Sequence, residues 1–225
     1  TGKMKTITFE DIKLNNEIRT YIARADETME AMGYTEHSFA HVTKTALQAA
    51  QILEDLDYPE RTVELAKIAG YMHDIGNVVN RQGHAQSGAI MAFRILDNLG
   101  MGAEEISDVV TAIGHHDEST AVPVSCIAAA LILADKSDVR ESRVRAKEGS
   151  DDFDIHDRVN HAVKKAELLL DKEEGAITLH LEVDTKQSSV MDYFEIFLGR
   201  MKLCRQAADF LGLRFQLLAN GVCLL

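Results

Sequence analysis

The residues of this sequence best suited to chemistry are histidines and aspartates near the ends of predicted helices: His41, His73-Asp74, His115-His116 and Asp135. Imidazole and carboxylate ligands together suit Mn, Fe, Co or Zn, and one carboxylate can bridge two such ions. Helical bundles build metal sites in this way, from inward-facing side chains of separate helices. The four groups therefore predict a metal site.

The His73-Asp74 pair is the strongest of these signals because it follows the apolar run Ile68-Ala69-Gly70-Tyr71-Met72. An ionised aspartate buried there without a partner would be costly, and a metal ion would supply the partner. A histidine taken singly is more often an ordinary core or surface residue than a ligand. The prediction therefore depends on the whole set.

Six predicted helices position these groups. Apolar residues recur at helical spacing, and glycines such as Gly33, Gly76 and Gly100 interrupt the pattern. The predicted helices cover residues 11–32, 36–56, 59–74, 84–99, 103–115 and 123–136. This pattern predicts an all-α domain over residues 1–149.

The pattern changes after Gly149, and residues 150–225 are predicted to form a separate small α+β unit. The predicted elements are an amphipathic helix through 155–168, a strand at 177–183, a helix from 189 to 212, and short strands at 213–217 and 222–225. The strand at 177–183 is predicted from its strict alternation of apolar and polar residues. The expected fold class is mainly α with this C-terminal appendage.

Composition and charge narrow the classes of function. The 225 residues carry a formal net charge of −12, which argues against a broad nucleic-acid surface or an anionic-membrane binder. No apolar run approaches the roughly 18–20 residues of a membrane span, and no signal-peptide pattern opens the chain. Three widely spaced cysteines, Cys126, Cys204 and Cys223, fit a reducing compartment. We expect a cytoplasmic protein.

The ordered set of motifs resembles the HD superfamily of metal-dependent phosphohydrolases, whose order is a histidine, a His-Asp pair and a distant aspartate. Here the order is His41, His73-Asp74-Ile75-Gly76 and Asp135. The apolar run Ala130-Leu131-Ile132-Leu133-Ala134 before Asp135 is also similar to the family pattern. The resemblance covers roughly residues 35–145 and implies an HD-type helical bundle.

The two-metal branch of the superfamily adds one histidine after the His-Asp pair and another before the last aspartate. His84 and His116 (or His115) fit those places. The resemblance then implies a first ion held by His41, His73, Asp74 and Asp135, and a second held by Asp74, His84 and His116. It leaves His37, four residues before His41, as an extra ligand or a pocket residue.

Two branches of the superfamily fit less well. The sequence His115-His116-Asp117-Glu118 lacks the Gly-Tyr-Pro that follows in the HD-GYP branch, which argues against cyclic-di-GMP as substrate. Asn77-Val78 does not match the acidic pair of the guanosine-tetraphosphate hydrolases, and Asn77 also replaces a lysine frequent in the family.

The implied mechanism is attack on phosphorus by a hydroxide that bridges two metal ions, with Asp74 holding both ions. Charge on the leaving oxygen needs an acid or a cation, and Lys136 beside Asp135 is the predicted catalytic cation. The substrate-binding candidates are Arg81, Asn80, Lys136, Arg140, His37 and His115. For Arg140 and the later cations Arg143 and Lys147, a solvated helix face is the alternative.

The sequence leaves three functions open. The first is a phosphohydrolase acting on a small phosphoester, for example a nucleotide, with Fe or Mn as the preferred metal and Zn or Co as alternatives. The second is a di-iron HD oxygenase, and the third is a non-catalytic metal- or ligand-binding regulatory module. A homodimer joined through strand edges is an alternative to a self-contained C-terminal unit.

Overall fold

The N-terminal part of the chain is helical. The computed structural model describes residues 6–34, 38–139, 159, 161–186 and 189–225. The helices before residue 140 are α1 (Phe9–Leu14), α2 (Asn16–Ala31), α3 (Phe39–Asp55), α4 (Glu60–Met72), a 3-10 helix (Ile75–Val78), α5 (His84–Leu99), α6 (Ala103–Gly114) and α7 (Cys126–Lys136). These helices confirm the predicted helical bundle.

The helix predicted over residues 11–32 is two helices, because Asn15 ends the first and starts the second. The Asn15 backbone is extended (φ −72°, ψ 117°), and its side-chain oxygen accepts a hydrogen bond from the Ile18 amide. Asparagine is a favoured N-cap for this reason. The other helices of this half lie close to their predicted bounds.

Helix α7 runs through the core of the helical half. Every residue from Ile127 to Lys136 is buried, and the helix packs against α3, α4 and α6. A helix that is apolar around its whole circumference needs such surroundings. The last turn of α7 therefore carries Asp135 and Lys136 into the interior.

Two glycines bring the segments around His73-Asp74 into close contact. A Cβ on Gly70 would lie 2.7 Å from the Ala46 Cα, so the close approach of α4 to α3 requires glycine. A Cβ on Gly76 would collide with the carbonyl oxygen of His84. These approaches set the His73-Asp74 segment against α3 on one side and the first turn of α5 on the other.

The C-terminal part is a four-stranded sheet with one long helix. The elements are β1 (Val163–Asp171), β2 (Ala176–Val183), α8 (Val190–Phe210), β3 (Arg214–Ala219) and β4 (Val222–Cys223). The strand order is β1-β2-β3-β4, with β2 and β3 parallel and the other two pairs antiparallel. Since α8 connects the parallel pair, this part is the small α+β unit that was predicted.

The helix predicted through residues 155–168 is wrong in its second half, where residues 163–168 belong to β1. Leu168 is buried and pairs with Leu179 of β2. The segment contains lysine, alanine, glutamate and leucine, which favour helices, but pairing with β2 outweighs that preference. Most of the first half of this prediction lies outside the described residues.

Helix α8 joins the C-terminal unit to the helical half, because it packs against both α7 and β3. Arg200 Nε donates a hydrogen bond to Glu118 Oε2 at 3.1 Å, in the loop that follows His116. The unit boundary predicted at residues 149–150 falls outside the described residues and stays a prediction. Among the described helices, none is long and apolar enough to cross a membrane.

Candidate metal centre

Six buried side chains from five separate segments converge in the helical half. They are His41 (α3), His73 and Asp74 (after α4), His84 (start of α5), His116 (after α6) and Asp135 (α7). Their nitrogen and oxygen atoms form three overlapping groups, and within each group the atoms lie no more than 4.8 Å apart. Groups of this kind could hold divalent metal ions.

The carboxylate of Asp74 lies between two pairs of histidines. Its Oδ2 atom is 3.2 Å from His73 Nε2 and 3.6 Å from His41 Nε2. Its Oδ1 atom is 3.7 Å from His84 Nε2 and 3.8 Å from His116 Nε2. One side chain therefore presents a different oxygen to each pair.

Asp135 is the second carboxylate that lies near both His41 and His73. Its Oδ1 atom lies 3.2 Å from His41 Nε2 and 3.4 Å from His73 Nε2, while Oδ2 lies 2.7 Å from the Lys136 ammonium. Burial works to raise the pKa of Asp135, but the Lys136 charge and then that of His73 outweigh it and hold the pKa well below its usual range. Asp135 is therefore ionised at neutral pH.

All four histidines present Nε2 to the centre because Nδ1 faces an acceptor elsewhere. The Nδ1 contacts are His41 to Asp138 Oδ2 (2.8 Å), His73 to Gly70 O (2.7 Å), His84 to Arg81 O (3.0 Å) and His116 to Ile113 O (2.6 Å). A carbonyl or carboxylate oxygen requires a proton on Nδ1. In the neutral rings Nε2 then carries the lone pair, which is the arrangement of a metal-ligating histidine.

The contact between His84 and His116 fits a cation at this place. Their Nε2 atoms lie 3.1 Å apart. Burial lowers the pKa of His84 to about 4 and also lowers the pKa of His116, so both rings are neutral at pH 7. Two lone pairs would then face each other, and a metal ion bound by both would remove the repulsion.

His73 fits a cation for a second reason. Its Nε2 atom is buried and has no hydrogen-bond partner in the part of the chain that the structure describes, although two carboxylates are near. Burial works to lower the pKa of His73, but the charges of Asp74 and Asp135 outweigh it and raise the pKa to about 10. The surroundings of His73 therefore favour positive charge, which a divalent ion can supply in place of a proton.

Two cations border the cluster. The Lys136 side chain is buried against Asp135. Arg81 Nη1 lies 3.3 Å from Asn77 Oδ1 and 3.3 Å from His84 Nε2, and its guanidinium lies over the Tyr34 ring. Asn77 in turn donates a hydrogen bond from Nδ2 to Asp74 Oδ1 at 3.1 Å. Positive charge therefore lies beside the acidic residues and could meet an anion.

The remaining predicted site residues lie in different places. His115 is partly buried, its Nδ1 faces Thr111 O at 2.9 Å, and it belongs to none of the three groups found among the described residues, whereas His116 belongs to two. Asn80 lies on an exposed turn, where its side chain accepts a hydrogen bond from the Gln82 amide. His37, Arg140, Arg143 and Lys147 lie outside the described residues.

Sequence reasoning missed two residues that contact the cluster. Asp138 contacts His41, and Asn77, which was noted only as a departure from a family pattern, contacts Asp74. A signal for Asp138 was present, since it follows Asp135 by three residues and so lies about one turn further along the chain. No sequence signal pairs it with His41.

Comparison with known proteins agrees with this geometry. The family model of the HD domain matches residues 38–146, and this part of the chain belongs to the HD domain family, whose superfamily consists mostly of hydrolases. The chain is also similar to the uncharacterized protein MJ1020 of Methanocaldococcus jannaschii. The two are 22% identical over 182 residues, which cover 71% of this chain and 70% of that protein.

Proposed function

We propose that the protein is a metal-dependent phosphohydrolase that cleaves a small phosphoester, with a nucleotide as one candidate substrate. The observation that carries the proposal is the position of Asp74, whose two oxygens face two different pairs of histidine Nε2 atoms. Two adjacent ligand sets that share one carboxylate are the arrangement of two-metal hydrolases.

The proposed ligand sets are named here site A and site B. Site A consists of His41, His73, Asp74 and Asp135, and site B consists of Asp74, His84 and His116. Fe and Mn suit this mixture of imidazole and carboxylate best, and Zn and Co also fit. When bound, the two ions would lower the pKa of a shared water and draw charge from the phosphoryl oxygens.

The residues around these sites have distinct tasks in the proposal. The Nδ1 hydrogen bonds hold the four histidine rings in place before any ion or substrate arrives. Asn77 holds the Asp74 carboxylate and contacts Arg81, so it fixes the distance between the ligands and this cation. Arg81 then donates hydrogen bonds to phosphoryl oxygens in a planar, bidentate manner.

Lys136 serves the leaving group in this proposal. One of its N–H groups points to Asp135 Oδ2, and an ammonium has three. Another can therefore donate to the leaving oxygen as negative charge develops there. Arg81 and Lys136 together favour an anionic substrate, which supports phosphoester hydrolysis over the oxidation of a neutral molecule at a di-iron site.

The test uses protein purified without a metal-affinity tag, analysed for bound metal and then loaded with Mn2+ or Fe2+. A panel of phosphomonoesters, phosphodiesters and nucleotides is screened for phosphate release, and dioxygen uptake is measured in parallel. We expect release that depends on added metal and is lost in Asp74→Asn. The matched control is Asp97→Asn, the same change on an exposed residue of α5.

Three outcomes would contradict the proposal. Protein that binds neither ion has no metal centre. Protein that binds iron and consumes dioxygen without releasing phosphate is an oxygenase. Protein that binds metal and ligands but turns over no phosphoester is a non-catalytic binding module.

A further inference from the structure

Among the described residues, the buried carboxylate of Asp138 contacts both His41 and Lys44, and these contacts distinguish His41 from the other three histidines. Asp138 Oδ2 lies 2.8 Å from His41 Nδ1, and Asp138 Oδ1 lies 2.8 Å from the Lys44 ammonium. The Nδ1 atoms of His73, His84 and His116 face backbone carbonyl oxygens instead. Among the contacts of the described residues, His41 is therefore the one ligand candidate of the four whose Nδ1 faces a charged side chain.

We propose, on the basis of the two-metal function above, that Asp138 is a positioning residue that fixes the tautomer of His41 and strengthens metal binding at site A alone. The Nδ1 proton is donated to Asp138, and the Nε2 lone pair points to Asp74 and Asp135. A carboxylate in this position makes the imidazole a better ligand, with effects of about 10–100-fold on metal affinity.

Lys44 holds the Asp138 carboxylate in its orientation toward His41. His41 and Lys44 are three residues apart on α3, so both side chains reach Asp138 from the same face of the helix. The ammonium has only protons to offer, and it therefore keeps one Asp138 oxygen for itself. The other oxygen faces His41. The Asp138 carboxylate therefore cannot rotate without losing a hydrogen bond to Lys44 or to His41.

This arrangement predicts that removing the negative charge of Asp138 changes the tautomer of His41. In Asp138→Asn the Lys44 ammonium attracts the single amide oxygen, so the amide NH2 group turns toward His41 Nδ1. A donor at Nδ1 favours the tautomer with the proton on Nε2, which cannot bind a metal. Adding Lys44→Met releases the amide, and its oxygen can turn back to accept the Nδ1 proton.

The experiment measures Mn2+ binding by calorimetry in the full chain for the wild type, Asp138→Asn, the double variant Lys44→Met/Asp138→Asn, and Asp97→Asn as control. Asp97 lies near the far end of α5, about 20 Å along the helix from His84. In the metal-free protein, long-range 1H–15N correlation spectra of the histidine rings report the His41 tautomer. Thermal unfolding of the metal-free variants reports stability separately.

We expect two binding steps of unequal affinity in the wild type and in Asp97→Asn. Asp138→Asn should weaken the tighter step by about 10–100-fold and leave the weaker step unchanged. The double variant should bind more tightly than Asp138→Asn, which a merely structural role for Asp138 would not produce. The spectra should show His41 protonated on Nδ1 in the wild type and on Nε2 in Asp138→Asn.

Other results would overturn the inference. Unchanged affinities in Asp138→Asn, equal weakening of both steps, or no recovery in the double variant each exclude the positioning role while leaving the two-metal site intact. A wild-type protein that binds no Mn2+ would instead remove the proposed function itself. The two failures are therefore distinguishable in one set of titrations.

Discussion

The Lys136 ammonium lies 2.7 Å from Oδ2 of Asp135, and both side chains are about nine-tenths buried. Removing one member of a buried ion pair leaves the other charge uncompensated, at a typical cost of about 3–5 kcal/mol. We therefore expect Lys136→Met to lower the free energy of unfolding of the metal-free protein by about this amount.

The same variant should respond more strongly to metal than the wild type, because an ion at Asp135 replaces the lost positive charge. Thermal unfolding with and without Mn2+ measures this, and the shift in Tm on adding metal should be larger in Lys136→Met. An equal shift in both proteins would show that the ion does not compensate Asp135.

Replacing one histidine of site B should remove one ion and leave the other. In His116→Ala, elemental analysis should find one ion per chain where the wild type holds two, because site A keeps all four of its ligands. Phosphate release should fall to background. His115→Ala is the matched control, since the neighbouring ring lies outside the metal-capable groups of the described residues, and an equal loss of metal in that variant would contradict the assignment.

Arg81 should act on the substrate and leave the metal content unchanged. We expect Arg81→Gln to lower kcat/KM roughly 10–100-fold, or about 1.4–2.7 kcal/mol of transition-state stabilisation. Arg94→Gln provides the control, because Arg94 is an exposed arginine paired with Glu17 on the protein surface. Wild-type kcat/KM in Arg81→Gln would remove this residue from the mechanism.

The close approach of α4 to α3 should make Gly70 intolerant of any side chain. Since the new Cβ would lie 2.7 Å from the Ala46 Cα, Gly70→Ala should lower the free energy of unfolding by about 1–3 kcal/mol or more. At Gly114 the nearest atom is 3.8 Å away, so Gly114→Ala should be neutral or stabilising by up to about 1 kcal/mol. Urea unfolding measures the free energy of unfolding of both variants. Equal values for Gly70→Ala and Gly114→Ala would contradict the predicted clash at Gly70.

The pair of Arg61 and Glu105 predicts a pH dependence of stability. The hydrogen bond from Arg61 lowers the pKa of Glu105 below its usual value of 4.5. A lowered pKa means that the pair stabilises the fold above the unfolded-state pKa and that this stabilisation is lost as the pH falls through the folded-state value. Because both side chains are nearly one-third exposed, the contribution is small, about 1 kcal/mol or less.

Unfolding of the wild type and of Glu105→Gln, measured at pH 7 and pH 3, checks this prediction. The wild type should be the more stable protein at pH 7, and the difference should shrink at pH 3, where Glu105 of the unfolded chain is protonated. A difference that does not change with pH would show that the charge of Glu105 is not its cause.

The order of the helices and the grouping of histidine with aspartate were predictable from sequence because both are local patterns. His73-Asp74 stands at the end of an apolar helix, and Asp135 stands at the end of another. The contact between His41 and Asp138 was not predictable, since 97 residues separate them and nothing in either segment specifies the other. Which of His115 and His116 faces inward depends on the backbone conformation at the end of α6. The sequence does not distinguish the two, because they are the same residue type.

The secondary-structure errors have identifiable physical causes. Asn15 was not recognised as a cap, although the step of six residues from Ile12 to Ile18 breaks the helical spacing there. Residues 163–168 of β1 were predicted as the end of a helix, because their composition favours helices and they gain their extended form from pairing with β2. The alternating residues of β2 carried the local strand signal that β1 lacks.

The position of α8 against α7 has a consequence for synthesis on the ribosome. Chains are made from the N-terminus, and helices that pack early can fold before later ones emerge. Helix α7 is apolar on every side, yet part of its covering comes from α8, which begins only at Val190. A nascent chain that has just completed α7 therefore exposes the apolar side of α7 that α8 later covers. Chaperones that bind apolar surfaces would bind this protein before α8 has been synthesised rather than after the chain has left the ribosome.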